Sequence, residues 1–116
     1  LEFVGLSGMD NVIAKEMTIA KQKRLEVARA LATKPALLLL DELMAGLNPT
    51  EVAQATELIL KIRKKGITIF MIEHVMKAIM GVSDRVIALH YGKKISEGTP
   101  KEVTADRTVK EIYLGI

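Results

Sequence analysis

The sequence contains no cysteine and no tryptophan, and only 3% of its 116 residues are aromatic. Without cysteine the chain cannot form disulfides, thiolate metal sites or thiol redox centres, which is typical of proteins in a reducing compartment. Because 49% of the residues are hydrophobic and few of these are aromatic, the core must be built from aliphatic side chains. This composition predicts a compact folded domain and excludes a disordered chain.

The sequence also lacks a membrane-spanning run and a strong excess of charge. No apolar run approaches the roughly 20 residues that cross a bilayer, and residues 1–3 do not resemble a secretion signal. The net charge is +3, and the longest basic run, KIRKK at 61–65, falls at the expected end of a helix, where cations complement the helix dipole. We expect a solvated helix end there, with a nucleic-acid or headgroup patch as the alternative.

Three short apolar runs, at 37–40, 67–72 and 85–90, alternate with segments of helical periodicity. Each run is too short for a confident helix and is bounded by turn residues or charges, which is typical of strands. A helix is expected over 21–33, ended by Pro35 because the residue before a proline is disfavoured in the α region. The alternation predicts an α/β fold with buried parallel strands covered on both faces.

Capping signals predict where the second helix begins and ends. Asn48, Pro49 and Glu51 follow one another as N-cap, first helical residue and capping-box acid. Gly66 follows Lys65 and predicts a left-handed C-terminal cap. The helix is therefore expected from Pro49 to Lys65.

The C-terminal third contains one hairpin signal and two further helix starts. Tyr91 and Gly92 lie between two strand-like segments, which predicts a tight turn in a hairpin at a sheet edge. Thr99 followed by Pro100 predicts a capped helix, and Asp106 predicts the cap of a last short helix.

Acidic and imidazole side chains follow two of the expected strands. Asp41 and Glu42 come directly after the run 37–40, and His74 closely follows the run 67–72. Ligands of open α/β sheets bind at the carboxyl ends of the strands. One carboxylate there can hold Mg²⁺ and the next can orient an attacking water. An acid pair can equally be a cap or an ion pair, and a lone histidine is often structural, but two such sites at one sheet edge favour catalysis.

At these residues the sequence resembles the ATP-binding subunits of ABC transporters, over essentially its whole length. ALLLLDE at 36–42 resembles the Walker B strand with the adjacent catalytic acid, AGLNP at 45–49 resembles the D-loop, and IEHV at 72–75 resembles the switch-histidine loop. The segment 22–42 resembles the helix after the ABC signature and its connection to Walker B. Finer likeness, in 73–100 and in AGLNPTE and the terminal YLG, is to the branched-chain amino acid uptake branch.

The resemblance implies the C-terminal part of a P-loop NTPase core with an edge hairpin and flanking helices. Residues 1–35 would end the α-helical signature subdomain, and residues 36–116 would form the second half of the nucleotide-binding core. Asp41 would support Mg²⁺, Glu42 would act as general base, and His74 would contact the γ-phosphate. Nucleotide contacts across a dimer interface would come from the signature and the D-loop: Thr18, Ile19, Ala20, Lys21, Gly46, Leu47 and Asn48.

Two departures from the family pattern concern glycine and proline. The signature, usually Leu-Ser-Gly-Gly-Gln, falls on residues 17–21, where Thr18 keeps the hydroxyl but Ile19 and Ala20 replace the glycines. Glycine permits the close backbone approach that phosphate binding uses, so we expect a weakened contact. Leu43 likewise replaces the usual proline after the acid pair.

A further departure is that nothing in the sequence matches the phosphate-binding loop G-x-x-x-x-G-K-[ST]. The sequence also begins at Leu1 rather than at methionine, so we expect further residues upstream. ATP and Mg²⁺ are expected in the complete protein but should bind poorly to this chain alone.

The expected partners follow from the same resemblance. They are the missing N-terminal half, a second ATPase subunit in a head-to-tail dimer, and transmembrane permease subunits that hold the protein at the cytoplasmic face of the membrane. Nucleic acid is not expected, and uncovered strands predict self-association of the chain. Two alternatives stay open: a non-catalytic interaction module of ABC shape, favoured by a start codon just upstream of Leu1, and an ABC ATPase of DNA maintenance, favoured by adjoining coiled-coil heptads.

Overall fold

The computed structural model describes residues 1–115, which divide into two compact units, Leu1–His74 and a second unit that begins at Val75. The first unit contains a 3₁₀ turn at Ala14–Glu16, followed by α1 (Ile19–Leu31), β1 (Leu37–Asp41), α2 (Pro49–Lys64) and β2 (Thr68–Ile72). The second contains α3 (Met76–Val82), β3 (Val86–His90), β4 (Lys93–Gly98), α4 (Pro100–Ala105), α5 (Arg107–Val109) and a π-helical turn at Lys110–Leu114. None of the helices described over residues 1–115 has the length and apolar composition of a bilayer-crossing segment. The assignment of 1–35 and 36–116 to two subdomains stays a prediction.

Strands β1 and β2 pair in parallel and are connected through α2, as the sequence predicted. Their register runs from Leu37 opposite Thr68 to Asp41 opposite Ile72. The capping box of α2 is complete, because the Asn48 side chain accepts from the Glu51 amide at 2.8 Å and the Glu51 carboxylate accepts from the Asn48 amide at 3.1 Å. This capping box fixes the residue at which α2 begins after the loop that leaves β1.

The expectation that these strands are covered on both faces is wrong for the described chain. In β1, Leu38 and Leu40 are buried, whereas Leu37 is exposed and Leu39 is 68% exposed. Phe70 and Ile72 of β2 are also exposed. The physical reason is that one crossover helix can cover only one face of a parallel pair, so the other face needs a further element.

Helix α1 differs from its predicted bounds at both ends. It begins at Ile19, two residues earlier than expected, because the Thr18 hydroxyl caps it by accepting from the Lys21 amide at 3.2 Å. It ends at Leu31, and the residue before Pro35, Lys34, has a φ of +54°. The chain therefore leaves the α region before the proline, through a left-handed residue rather than an extended one.

The basic run at the end of α2 lies beside an aromatic ring of the same unit. The ammonium groups of Lys61 and Lys65 lie 4.6 Å and 4.5 Å from the centre of the Phe3 ring. Lys61 Nζ also donates to the Phe3 carbonyl at 2.9 Å. These contacts agree with the interpretation of this run as a helix end.

The second unit is organised around an antiparallel hairpin. Strands β3 and β4 pair with an irregularity between Ala88 and Leu89, and Tyr91 and Gly92 both have positive φ, of 48° and 75°. Two positive φ values are typical of the primed hairpin turns, so the predicted turn is confirmed. The predicted caps are confirmed too, since Thr99 accepts from the Glu102 amide and Asp106 from the Val109 amide. A small core of this unit is formed by Val86, Ala88, Ile95, Val103 and Val109.

An ion-pair cluster on the hairpin predicts a pH-dependent stability. The Glu97 carboxylate, 24% exposed, accepts from Lys94 Nζ at 2.8 Å and from Arg85 Nε at 2.8 Å. Hydrogen bonds from Lys94 and then Arg85 lower the pKa of Glu97 from 4.5 to about 2. A carboxylate with a depressed folded-state pKa stabilises the fold above its unfolded pKa, and this stabilisation is lost as the pH falls towards 2.

We therefore expect E97Q to melt below the wild-type chain at pH 7, and we expect this difference to shrink between pH 4.5 and pH 2. Thermal unfolding followed by circular dichroism at several pH values measures it. E57Q, on exposed α2 surface, is the matched control. A difference between E97Q and wild type that stays constant down to pH 2 would contradict the assignment.

Candidate functional site

The carboxyl ends of β1 and β2 lie side by side and carry the acids and the histidine that the sequence singled out. The Glu42 amide donates to the Ile72 carbonyl at 2.8 Å, which extends the parallel pairing one residue beyond β1. The φ of Glu42 is +52°, a left-handed conformation that non-glycine residues rarely adopt. Such strain is typical of functional sites, where surrounding contacts hold a side chain in one orientation.

Glu42 and His74 contact each other directly. His74 Nε2 lies 2.5 Å from Glu42 Oε1, across 32 residues of sequence. Since an ionised carboxylate only accepts hydrogen bonds, the imidazole donates its Nε2 proton. The His74 side chain is 77% exposed and that of Glu42 is 45% exposed. Both groups are therefore accessible to a ligand at this sheet edge.

Asp41 lies at the end of β1 on the same exposed face as Leu39. Its carboxylate makes no hydrogen bond or ion pair to another residue of the described range 1–115. Within that range no group of three or more histidine, aspartate or glutamate side chains is arranged to hold a metal. Mg²⁺ commonly binds through one or two carboxylates together with water and substrate phosphates, so a single available aspartate fits that ion.

The D-loop residues form the turn that leads into α2. The Leu47 amide donates to the Met44 carbonyl at 3.2 Å, and Gly46 has a φ of +77° with open space where a side chain would begin. Asn48 is the N-cap of α2, so its side-chain oxygen is engaged by the Glu51 amide. Hydrogen bonds within the first unit thus stabilise the turn, and Gly46 is exposed to solvent.

The signature residues lie at the N-terminus of α1. Thr18 is the N-cap, and Ile19, Ala20 and Lys21 form the first helical turn. Ile19 is exposed, and neither Ile19 nor Ala20 has a positive φ. This backbone therefore does not require glycine. Within residues 1–115 no hydrogen bond or ion pair joins the signature residues to Asp41, Glu42 or His74.

Two residues that the sequence did not single out contact the turn after Glu42. Glu73 Oε2 accepts from the Met44 amide at 2.8 Å. Lys23 Nζ donates to the Glu42 carbonyl at 3.2 Å and also to the Ala45 carbonyl. The position of Glu73, directly before His74, was an available signal, whereas nothing in the sequence pairs Lys23 with a loop 19 residues away.

Comparison with known proteins identifies relatives of this chain. Residues 93–116 match the family described as branched-chain amino acid ATP-binding cassette transporter. The chain is 42% identical over 116 residues to the high-affinity branched-chain amino acid transport ATP-binding protein LivG of Salmonella typhimurium, covering 99% of the chain and 46% of that protein. It is 39% identical over 116 residues to BraF of Pseudomonas aeruginosa, with the same coverage.

Among solved structures, an ATP-binding cassette of an ABC transporter in its ADP conformation matches with a TM-score of 0.88 and 33% identity, over 100% of this chain and 47% of that one. The fold thus matches the C-terminal part of an ATP-binding cassette of the ABC transporter class. The chain is similar to the C-terminal part of the ATP-binding proteins of branched-chain amino acid transport. It spans about half the length of the curated relatives it matches.

Proposed function

We propose that the complete protein carrying this chain is an ATPase that drives the import of branched-chain amino acids or similar solutes. The relatives LivG and BraF are ATP-binding proteins of high-affinity branched-chain amino acid transport, which supports the substrate class. The observation that carries the catalytic part is the 2.5 Å contact between His74 and Glu42 at an exposed sheet edge.

In this proposal Glu42 orients the attacking water and receives its proton. Its carboxylate is partly exposed, and the left-handed backbone presents it beyond the end of β1. As the water oxygen bonds to the γ-phosphorus, the bond to the bridging oxygen breaks and the water proton moves to Glu42. The pair with His74 keeps the carboxylate in one orientation before the reaction.

His74 supplies a hydrogen-bond donor where negative charge develops. Its ring is largely exposed beyond β2, so the imidazole can contact Glu42 and a phosphoryl oxygen in turn. A preorganised donor that meets charge formed in the transition state lowers the barrier more than it strengthens ground-state binding. Asp41 would hold Mg²⁺, which when bound neutralises phosphate charge.

The proposal extends to the partners of the complete protein. A head-to-tail dimer would place the turn at Thr18–Lys21 and the loop at Gly46–Asn48 of one subunit against the nucleotide of the other. Exposed Ile19 and the solvent-facing Gly46 are consistent with such contacts. Transmembrane permease subunits would hold the ATPase at the inner face of the membrane.

The test is whether His74 and Glu42 act as one unit. In the complete protein we expect H74A to lower ATP turnover by about 10-fold to 1,000-fold with little change in melting temperature. Because both residues serve the same step, adding H74A to E42Q should cause little further loss. Steady-state phosphate release and thermal unfolding of the wild type, the two single variants and the double variant measure this. An H74A variant that is unstable but retains turnover per folded molecule would make the histidine structural.

A further inference from the structure

The turn after β1 holds Glu42 in a conformation that it would not adopt unaided. With a φ of +52°, Glu42 occupies the left-handed region, where the Cβ of an ordinary residue meets steric resistance. Rotation about φ swings the Cβ relative to the strand that precedes it. A return to negative φ would therefore carry the carboxylate away from His74 Nε2, to which it is now hydrogen-bonded.

The carboxylate of Glu73, at the end of the neighbouring strand β2, forms a hydrogen bond to this turn. Glu73 Oε2 accepts from the Met44 amide at 2.8 Å, across 29 residues of sequence. The Met44 side chain is buried, so the residue is anchored by packing as well as by this bond. A hydrogen bond to an ionised acceptor is stronger than one between neutral groups. Glu73 and His74 are adjacent, so the same strand end holds both the backbone of the turn and the Glu42 side chain.

The ammonium group of Lys23, on α1, forms hydrogen bonds to the first and last residues of the same turn. Lys23 Nζ donates to the carbonyls of Glu42 and Ala45, while the Ala45 amide donates back to the Glu42 carbonyl at 3.2 Å. The turn from Glu42 to Ala45 thus has a cation on its carbonyl groups and an anion on its central amide. These bonds come from α1 and from the residue that follows β2, so the turn cannot relax without losing contacts to both.

We propose that Glu73 and Lys23 are positioning residues for Glu42, clamping the turn 42–45 so that its carboxylate faces His74 and the attacking water. The inference rests on the proposed function, because it assigns a role to the residues that support the general base. Neither residue reaches the reacting atoms in this proposal. Their effect is on the orientation of Glu42, and small misplacements of a catalytic group lower turnover strongly.

The test uses the complete protein and compares E73A with E73Q. E73A removes the acceptor of the Met44 amide, and we expect kcat to fall by about 10-fold to 100-fold. The KM for ATP and the Kd for ATP measured under non-hydrolysing conditions should stay close to the wild-type values. E73Q keeps a carbonyl oxygen at the same reach, so it should recover most of kcat. E57A and E57Q on the exposed surface of α2 are the matched controls.

A second pair of variants tests the other side of the clamp. K23M removes the donor and keeps the aliphatic stem, and it should lower kcat with little change in the KM for ATP. K23R retains charged donors and should recover part of the loss. K64M on the surface of α2 is the control. This pair also decides the inference if E73A proves too unstable to purify.

The outcomes separate this inference from the proposed function. Loss of turnover in E42Q together with a kcat-specific loss in E73A and K23M, relieved by E73Q and K23R, supports the clamp. Loss in E42Q with wild-type kcat in folded E73A or folded K23M overturns the clamp and leaves the proposed function standing. A lower melting temperature with unchanged turnover per folded molecule also overturns it, since the bonds are then only structural. Wild-type turnover in E42Q overturns both.

Discussion

Replacement of Glu42 by glutamine in the complete protein is expected to lower steady-state ATP hydrolysis by about 10²-fold to 10⁴-fold. Glutamine has nearly the shape of glutamate and still accepts from His74 Nε2, so the contact at the strand ends should persist. It cannot receive the proton of the attacking water. ATP binding should therefore be retained. The nucleotide-bound dimer should accumulate, because hydrolysis no longer causes it to dissociate.

Phosphate release, equilibrium ATP binding and light scattering in the presence of Mg-ATP measure the three parts of this prediction. E57Q provides the control, because it makes the same substitution at an exposed position of α2. Turnover in E42Q within the error of the wild type would exclude Glu42 as the base. If E42Q loses both ATP binding and turnover, Glu42 contributes to binding of ATP before the reaction rather than to the chemical step.

This 116-residue chain by itself is expected to show no measurable affinity for Mg-ATP. Phosphate binding in this class of protein depends on a glycine-rich loop and its lysine, and the sequence contains no G-x-x-x-x-G-K-[ST] segment. At the strand ends, Asp41 and Glu42 present two carboxylates to a polyanion, which repel it unless Mg²⁺ intervenes. Titration calorimetry with Mg-ATP measures the affinity, and micromolar binding would contradict this account of the chain.

The same chain is expected to self-associate through the exposed face of β1 and β2. Leu37, Leu39, Phe70 and Ile72 lie on this face and are exposed. Covering apolar surface contributes about 2.5 kcal/mol for every ~100 Å² removed from water, so a modest contact area offsets much of the entropy of association. Strands with free edges also favour pairing between copies, because their backbone N–H and C=O groups lack partners.

Size-exclusion chromatography with light scattering tests this association. L39E combined with F70E places two charges on the apolar face and should shift the chain towards monomer. V12E introduces the same charge at an exposed apolar residue outside the sheet and should leave association unchanged. A monomeric wild-type chain, or equal effects of V12E and the sheet variants, would exclude this face as the contact.

The local features of the fold followed from short stretches of sequence. The capping box of Asn48 and Glu51 and the hairpin turn at Tyr91 and Gly92 both formed where the sequence predicted them. Each of these involves groups within about four residues of one another, so the chemistry of the segment decides the structure. The bounds of α1 were less accurate, because the helix begins at the Thr18 cap and already ends at Leu31. Lys34, which follows it, has a left-handed conformation that its residue type does not indicate.

The site at the carboxyl ends of β1 and β2, formed by Asp41, Glu42 and His74, was predicted only in part. Parallel pairing of β1 and β2 follows from the strand, helix and strand pattern, and it brings Glu42 and His74 to one edge. The pattern does not predict the left-handed backbone conformation of Glu42. It also does not predict the hydrogen bonds of Glu73 and Lys23 to the turn that follows Glu42. These contacts span 19 to 29 residues, and such separations are not encoded in any local periodicity.

By itself the sequence determined the α/β class, the strands, the main helices and caps, and the candidates for base and metal ligand, because side-chain periodicity and the position of acids after a strand are local properties. The candidates for phosphate contact came from the resemblance to ABC ATP-binding subunits. Only the tertiary structure decided that Leu39 and Phe70 remain exposed, and that Glu42 and His74 meet at 2.5 Å. Burial of a strand face depends on which elements pack over it, and a side-chain contact depends on how two strand ends are aligned. Both are set by packing between segments far apart in the chain.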